Sequence, residues 1–156
     1  MTQEEKQLLL QDLCARLPYG VICYWRIGSE LTLNLTEYNG QLTCINKVEI
    51  EDSSDYYYDC YFNVCNDSNG NSFQNEDVSI EIVKPYLRPM SSMTKEEEKE
   101  YTNIDNRSYS CPIDYAHIPS SDRIDWLNKH HFDYRGLIEK GLAIEAPEGM
   151  YKVKEE

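Results

Sequence analysis

Along the first twenty residues the apolar positions follow a helical period. Leu10, Leu13, Cys14 and Leu17 recur three and four residues apart, which places them on one face of a helix. Thr2-Gln3-Glu4-Glu5 supplies a capping box in front of them, and Pro18 stops the helix behind them. From Tyr19 the period changes to two. Val21, Cys23, Trp25 and Ile27 share one strand face, and Leu31, Leu33 and Leu35 share another. Asn39-Gly40 then predicts a tight hairpin turn. Leu42, Cys44, Val48 and Ile50 continue the alternation with one phase break at Asn46. Tyr56, Tyr58, Cys60, Phe62 and Val64 alternate against Tyr57, Asp59, Tyr61 and Asn63. Val78, Ile80 and Ile82 form the last strand before Pro85. Consecutive strands with no helix between them predict an antiparallel sheet of roughly five strands, curled into a small barrel or covered by helices.

The second half reads differently. Pro85, Pro89 and the Ser-Met run predict an extended connector, and Thr94-Lys95-Glu96-Glu97 opens a charged helix reaching about Tyr101. Residues 102–119 show no period. Pro119-Ser120-Ser121-Asp122 starts a helix carrying Trp126 and Leu127. Asp133 is placed to cap a second short helix that ends at Lys140-Gly141. Leu142–Ala146 and Met150–Val153 flank Pro147-Glu148-Gly149 as a terminal hairpin would. The expectation is one α+β domain over 1–156. Residues 1–85 hold the N-terminal helix and the sheet, 86–119 a connector with a charged helix, and 120–156 two short helices and a hairpin.

Charge narrows the function classes. The chain carries 15 basic and 28 acidic residues, a net charge of −13. A field of that sign repels nucleic-acid phosphates and anionic membrane surfaces, so neither direct nucleic-acid binding nor a membrane partner is expected. The excess is concentrated between Lys47 and Val83, where nine acids face one base. The N-terminus has acids where a signal peptide needs bases, and no stretch approaches the roughly 18 apolar residues of a spanning helix. A cytoplasmic location follows as the expectation. The six cysteines then stay reduced; there is no C-x-x-C, and most occupy apolar positions of predicted elements.

Candidate chemistry is sparse. "NKHHFDYRGL", residues 128–137, gathers His130, His131 and Asp133. With His117 these are the candidate metal ligands. Adjacent helical residues diverge by about 100°, however, which suits a metal poorly. The pattern better fits imidazoles packed beside Trp126 at a helix end, with Asp133 as a cap. "NDSNGNSFQNEDV", residues 66–78, begins like a calcium loop, with Asp67, Asn69 and Asn71 at alternate positions. It places Ser72 where glycine is required and Val78 where the bidentate glutamate is required, so a polar hairpin tip is expected. A Cys111–His117 nucleophile pair has nothing to order it. No phosphate-binding glycine loop, nucleophile elbow or H-E-x-x-H occurs. No cofactor is expected.

The most unusual composition is "DYYYDCYFNVC", residues 55–65, holding four of the chain's 13 tyrosines. Strand alternation sends Tyr56 and Tyr58 to the core, and Tyr57 and Tyr61 outward beside Asp59. Tyrosine offers a large contact area with two soft torsions, which suits protein interfaces. Tyr57, Tyr61, Asp52, Asp55 and Asp59 are therefore the candidate interaction residues.

Two resemblances add a setting. "GLIEKGLAIEAPEGMYKV", residues 136–153, resembles the helix-then-wing passage of winged helix-turn-helix proteins, with Glu145 and Glu148 where DNA binders carry bases. "VKPYLRPMSSMT" (83–94) with "DWLNKHHFDYRGLIEKGLAIEAPEGMYK" (125–152) resembles small uncharacterised proteins common in prophages and mobile elements of gut anaerobic bacteria. That resemblance implies a genomic setting and no chemistry. The leading expectation is a non-enzymatic accessory protein that binds a host or phage protein. The alternative is a nucleic-acid mimic that inhibits a host DNA-binding or defence protein. A metal-dependent enzyme or a winged-helix DNA binder comes after both.

Overall fold

Thr2 and Glu5 close the expected capping box at the start of α1 (Gln3–Arg16). Glu5 N–H donates to Thr2 Oγ1 at 3.2 Å, and Thr2 N–H donates to Glu5 Oε2 at 2.7 Å. Pro18 lies in a 3-10 turn over Leu17–Tyr19, which Gly20 ends at φ +69°. A side chain there would be strained by that torsion and would press on Gln41 at 2.7 Å. The fold is seen in a computed structural model that describes residues 1–29, 34–50, 55–67, 69–106 and 121–151.

Among the described residues six strands follow: β1 (Ile22–Ser29), β2 (Asn34–Glu49), β3 (Tyr56–Asp67), β4 (Ser72–Ser79), β5 (Lys84–Leu87) and β6 (Ile144–Glu145). Their order across the sheet is β4-β3-β2-β1-β5-β6. All neighbours are antiparallel except β5 and β6, which pair in parallel through Tyr86–Ile144 and Leu87–Glu145. The class is α+β as expected, but the sheet is mixed and open, with no barrel closure.

Asn39-Gly40 is not a turn. β2 runs straight through it, and Gly40 sits buried between Cys23 of β1 and Cys65 of β3. The tight turn needs positive φ at both positions, and Gly40 does not take it. Pairing on both sides, with Tyr38 stacked on Trp25 at 5.8 Å, outweighs the local turn preference. The two strands expected around that turn are thus one; Leu31 and Leu33 lie outside the described residues. The phase break expected at Asn46 is a bulge slightly earlier, where the β2–β3 register shifts on both sides of Leu42.

The β3–β4 connection matches the expected polar tip. Gly70 at φ +83° donates to Asp67 O, while Asp67 N–H donates to Asn71 O. The Asp67 carboxylate accepts from Asn69 N–H, Asn71 N–H and Asn71 Nδ2 at 2.8–2.9 Å. These bonds hold its pKa below the ordinary carboxylate value, and they commit its oxygens to the turn.

One face of the sheet meets α1. Leu9 and Leu13 pack with Val21, Cys23, Trp25, Leu42, Cys60, Phe62 and Ile80, and Trp25 stacks on Phe62 at 4.3 Å. Cys23, Cys60 and Cys65 serve as small apolar residues here, and burial pushes the Cys60 thiol up to about 12. A second cluster, Leu87, Leu137, Leu142 and Ala143, joins the C-terminal part to β5.

α2 (Lys95–Asn106) opens on the second expected capping box and runs past Tyr101. α3 (Ser121–Lys129) carries Trp126 and Leu127. After it the chain differs from expectation twice. Asp133 caps a run of hydrogen-bonded turns, and no regular helix forms before Gly141 at φ +71°. Of the expected terminal hairpin, the first arm runs into β6 and pairs with β5, and residues 152 and 153 of the second arm lie outside the described residues. Burial of Leu142 and Ala143 against Leu87 draws the chain onto β5, so β6 pairs there, and Met150 and Tyr151 lie in a turn. The first arm of the wing in the winged-helix resemblance is thus paired with β5, and its second arm lies partly outside the described residues. Among the described residues no helix is long and apolar enough to cross a membrane.

Candidate interaction surface

The β2–β3 and β3–β4 registers build rows of side chains on the face away from α1. Val48 lies opposite Tyr57. Asn46, Asp59 and Ser79 form the next row, and Cys44, Tyr61 and Asp77 the one after. Cys44, Asn46, Tyr57 and Asp77 are exposed, and Val48, Asp59 and Tyr61 are half-buried among them. Tyr57 keeps 39% of its surface in solvent. Two tyrosines and two carboxylates thus share an uncovered strip of sheet. Partial burial, followed by the Asp77 charge, raises the Asp59 pKa above the ordinary value.

Tyr57, Tyr61 and Asp59 are brought together as the alternation predicts. Asp55 stands at the entrance to β3, its carbonyl accepting from Ile50 N–H at 3.2 Å. Asp52 lies outside the described residues. Tyr56 departs from expectation: Tyr58 packs against the core, but Tyr56 is 41% exposed. Tyr56 is the first residue of β3, where the inner face is open to solvent. There Lys47 Nζ sits 4.2 Å from the Tyr56 ring centre, and Tyr56 meets Tyr58 edge-on at 5.6 Å. Ile50, also exposed, enlarges the apolar surface at this end.

The histidine region has another purpose. His130 Nδ1 lies 2.8 Å from Trp126 O, and its ring stacks on Trp126 at 4.0 Å. His131 takes φ +58° and stacks on Tyr151 at 3.8 Å. Burial, followed by the Arg16 charge, depresses its pKa to about 4, so it is neutral at pH 7. The Asp133 carboxylate accepts from Leu137 N–H at 2.9 Å and Ile138 N–H at 2.8 Å. The three side chains do not converge, and among the described residues no group of three His, Cys, Asp or Glu is placed to hold a metal. His117 and Cys111 lie outside the described residues.

Beneath these residues is a polar knot that the hydrophobic pattern did not indicate. Asp12 and Arg16 are both fully buried, joined through Nε at 2.7 Å and Nη2 at 3.0 Å. Arg16 Nη2 also donates to Phe132 O at 2.8 Å, tying α1 to the chain after α3. Arg135 Nε approaches Asp12 Oδ1 to 3.3 Å, an ion pair without hydrogen-bond alignment. The available signal was the four-residue spacing of Asp12 and Arg16 on the stripe of Leu9 and Leu13. Charges at such spacing usually occupy a solvated face.

Two clefts complete the picture. One of about 630 Å³ is lined by Tyr19, Glu100, Ile104, Asp125, Trp126 and Lys129 among others. The second, about 440 Å³, holds the Arg88–Glu97 pair, bonded twice at 2.7 and 2.8 Å. Those bonds hold the Glu97 pKa down to about 2, so its carboxylate is a structural anion. Neither cleft is lined by a histidine or cysteine among the described residues. Comparison with protein-family models, curated proteins and solved structures finds no match for this chain.

Proposed function

We propose that the protein is a non-enzymatic interaction protein, an accessory factor of phage or mobile-element type. In this reading it binds a host or phage protein through the outer face of β2, β3 and β4. The observation that carries it is the outer strip of sheet on which Tyr57, Asp59 and Tyr61 alternate along β3 and Tyr61 stands in register with Asp77. A sheet holds the tyrosines in place, so little side-chain entropy is lost on contact. The net charge of −13 selects a partner with a basic surface and speeds the encounter. The genomic setting is supported by the resemblance of residues 83–94 and 125–152 to prophage and mobile-element proteins.

The test is capture of the partner by tagged protein from a lysate of the encoding organism, washed at rising salt. A partner that survives about 0.5 M salt, where surface charges are largely screened, and is lost with Tyr57→Ala plus Tyr61→Ala is the expected result. Undiminished capture by the double variant would end the proposal. The juxtaposition of Asp59 and Asp77 favours a second reading, nucleic-acid mimicry. Its partner would bind DNA, elute near that salt and ignore the tyrosines, and it would be lost with Asp59→Asn plus Asp77→Asn.

A further inference from the structure

β4 ends the sheet. It pairs with β3 along one edge, and no described strand pairs with the other. Thr43 Oγ1 donates to Tyr61 O at 2.9 Å, which turns that carbonyl toward β2. Hydrogen-bonded and non-bonded pairs alternate in an antiparallel ladder. Tyr61–Asp77 is therefore a non-bonded pair of the β3–β4 ladder, and the Asp77 N–H and C=O point outward from the edge.

Edge strands that must stay single usually carry lysine, proline or a very short span. β4 is eight residues long and has neither lysine nor proline. It carries Glu76 and Asp77 instead, adjacent in sequence and so on opposite sides of the sheet, with Asp59 across the outer side. A second copy would bring these acids against its own, on chains that each carry −13. A strand bearing lysine or arginine meets the complementary field on both faces.

We propose that the free edge of β4 takes up an extended, basic segment of the partner as an added strand. This deepens the protein-binding reading and rests on it. Backbone pairing supplies the affinity of such an addition, and flanking side chains supply the selectivity. Acidic residues on the edge bar self-addition while leaving the position open to a basic strand.

The probe is an alternating lysine–valine octapeptide, with the same peptide N-methylated on alternate residues as the control. Binding to the full chain is followed by amide shifts of residues 72–79. The parent peptide is expected to bind there, and N-methylation should weaken it about tenfold by removing its pairing edge. Asp77→Pro should cost a similar factor, because it removes an outward donor and no bond of the β3–β4 ladder; its melting curve checks the fold. Asp77→Asn removes only charge and should cost roughly two- to threefold. Equal binding of parent and N-methylated peptides, or no binding, overturns the edge proposal. Binding that Tyr57→Ala abolishes and Asp77→Pro spares would leave the face as the site, sinking the edge while the protein-binding reading stands. Edge binding without any partner captured from lysate would reverse that outcome.

Discussion

At the junction of α1 with residues 127–138, polar groups are inside and tie α1 to the chain after α3. On the outer face of β2, β3 and β4, aromatic groups stand outside with no described element over them. Asp12 and Arg16 have no exposed surface, and Arg16 reaches across 116 residues of sequence to Phe132 O. Tyr57 keeps about two-fifths of its surface, at 39%. Burying a charge pair is costly unless its geometry is good and its remaining hydrogen bonds are met. Exposing a tyrosine forgoes burial energy that strand packing elsewhere in the sheet collects. The contrast teaches that charged and histidine residues here fix shape, while the uncovered tyrosines are the part available to another molecule.

Asp12→Ala breaks the comparison most severely. It strands Arg16 and Arg135 without their carboxylate, and a buried charge left unpaired costs about 3–5 kcal/mol. Urea unfolding should show that loss, and Arg16→Met added to it should recover part. A cost under about 1 kcal/mol would mean the knot behaves like a surface pair.

Asp133→Ala comes next, at about 1–2 kcal/mol, the size of a lost cap. Two backbone donors lose their acceptor. The same denaturation series measures it.

His131 sharpens the comparison through pH. Its folded pKa is about 4 against an ordinary 6.5, so between those values the unfolded chain binds more protons and stability falls as pH falls. Above 6.5 the contribution is fully present. His131→Asn, a residue tolerant of positive φ, should flatten the dependence of melting temperature on pH in that window. An unchanged slope would show that His131 is not its source. Glu97 acts lower, as its pairing with Arg88 is lost when pH falls from 4.5 toward about 2.

Tyr57→Ala should have the smallest effect on stability, within about 0.5 kcal/mol. Its effect belongs to binding, where an anchoring tyrosine is worth about 2 kcal/mol or more. A large loss of stability would place Tyr57 with the structural residues instead.

Much of the fold was legible in local chemistry. Both capping boxes, the helix on the sheet and the outward register of Tyr57, Asp59 and Tyr61 follow from spacing alone. Where reading failed, long-range packing had overruled a local preference. Asn39-Gly40 stayed extended because β1 and β3 claimed both its edges. The C-terminal segment became a parallel strand because Leu142 and Ala143 found Leu87. Tyr56 kept the predicted strand phase, but the exposure of the inner face at the start of β3 was not encoded nearby. Asp12 and Arg16 were invisible for a different reason: a charge pair four residues apart reads the same whether water or Phe132 lies beyond it.

The proposed partner docks on the tyrosine face and not at the histidine junction. A photo-crosslinking amino acid placed at residue 57, and separately at residue 130, tests it most directly when each protein is irradiated with the captured partner. The account expects a covalent adduct from position 57 and none from position 130. An adduct from 130 with none from 57 would contradict it.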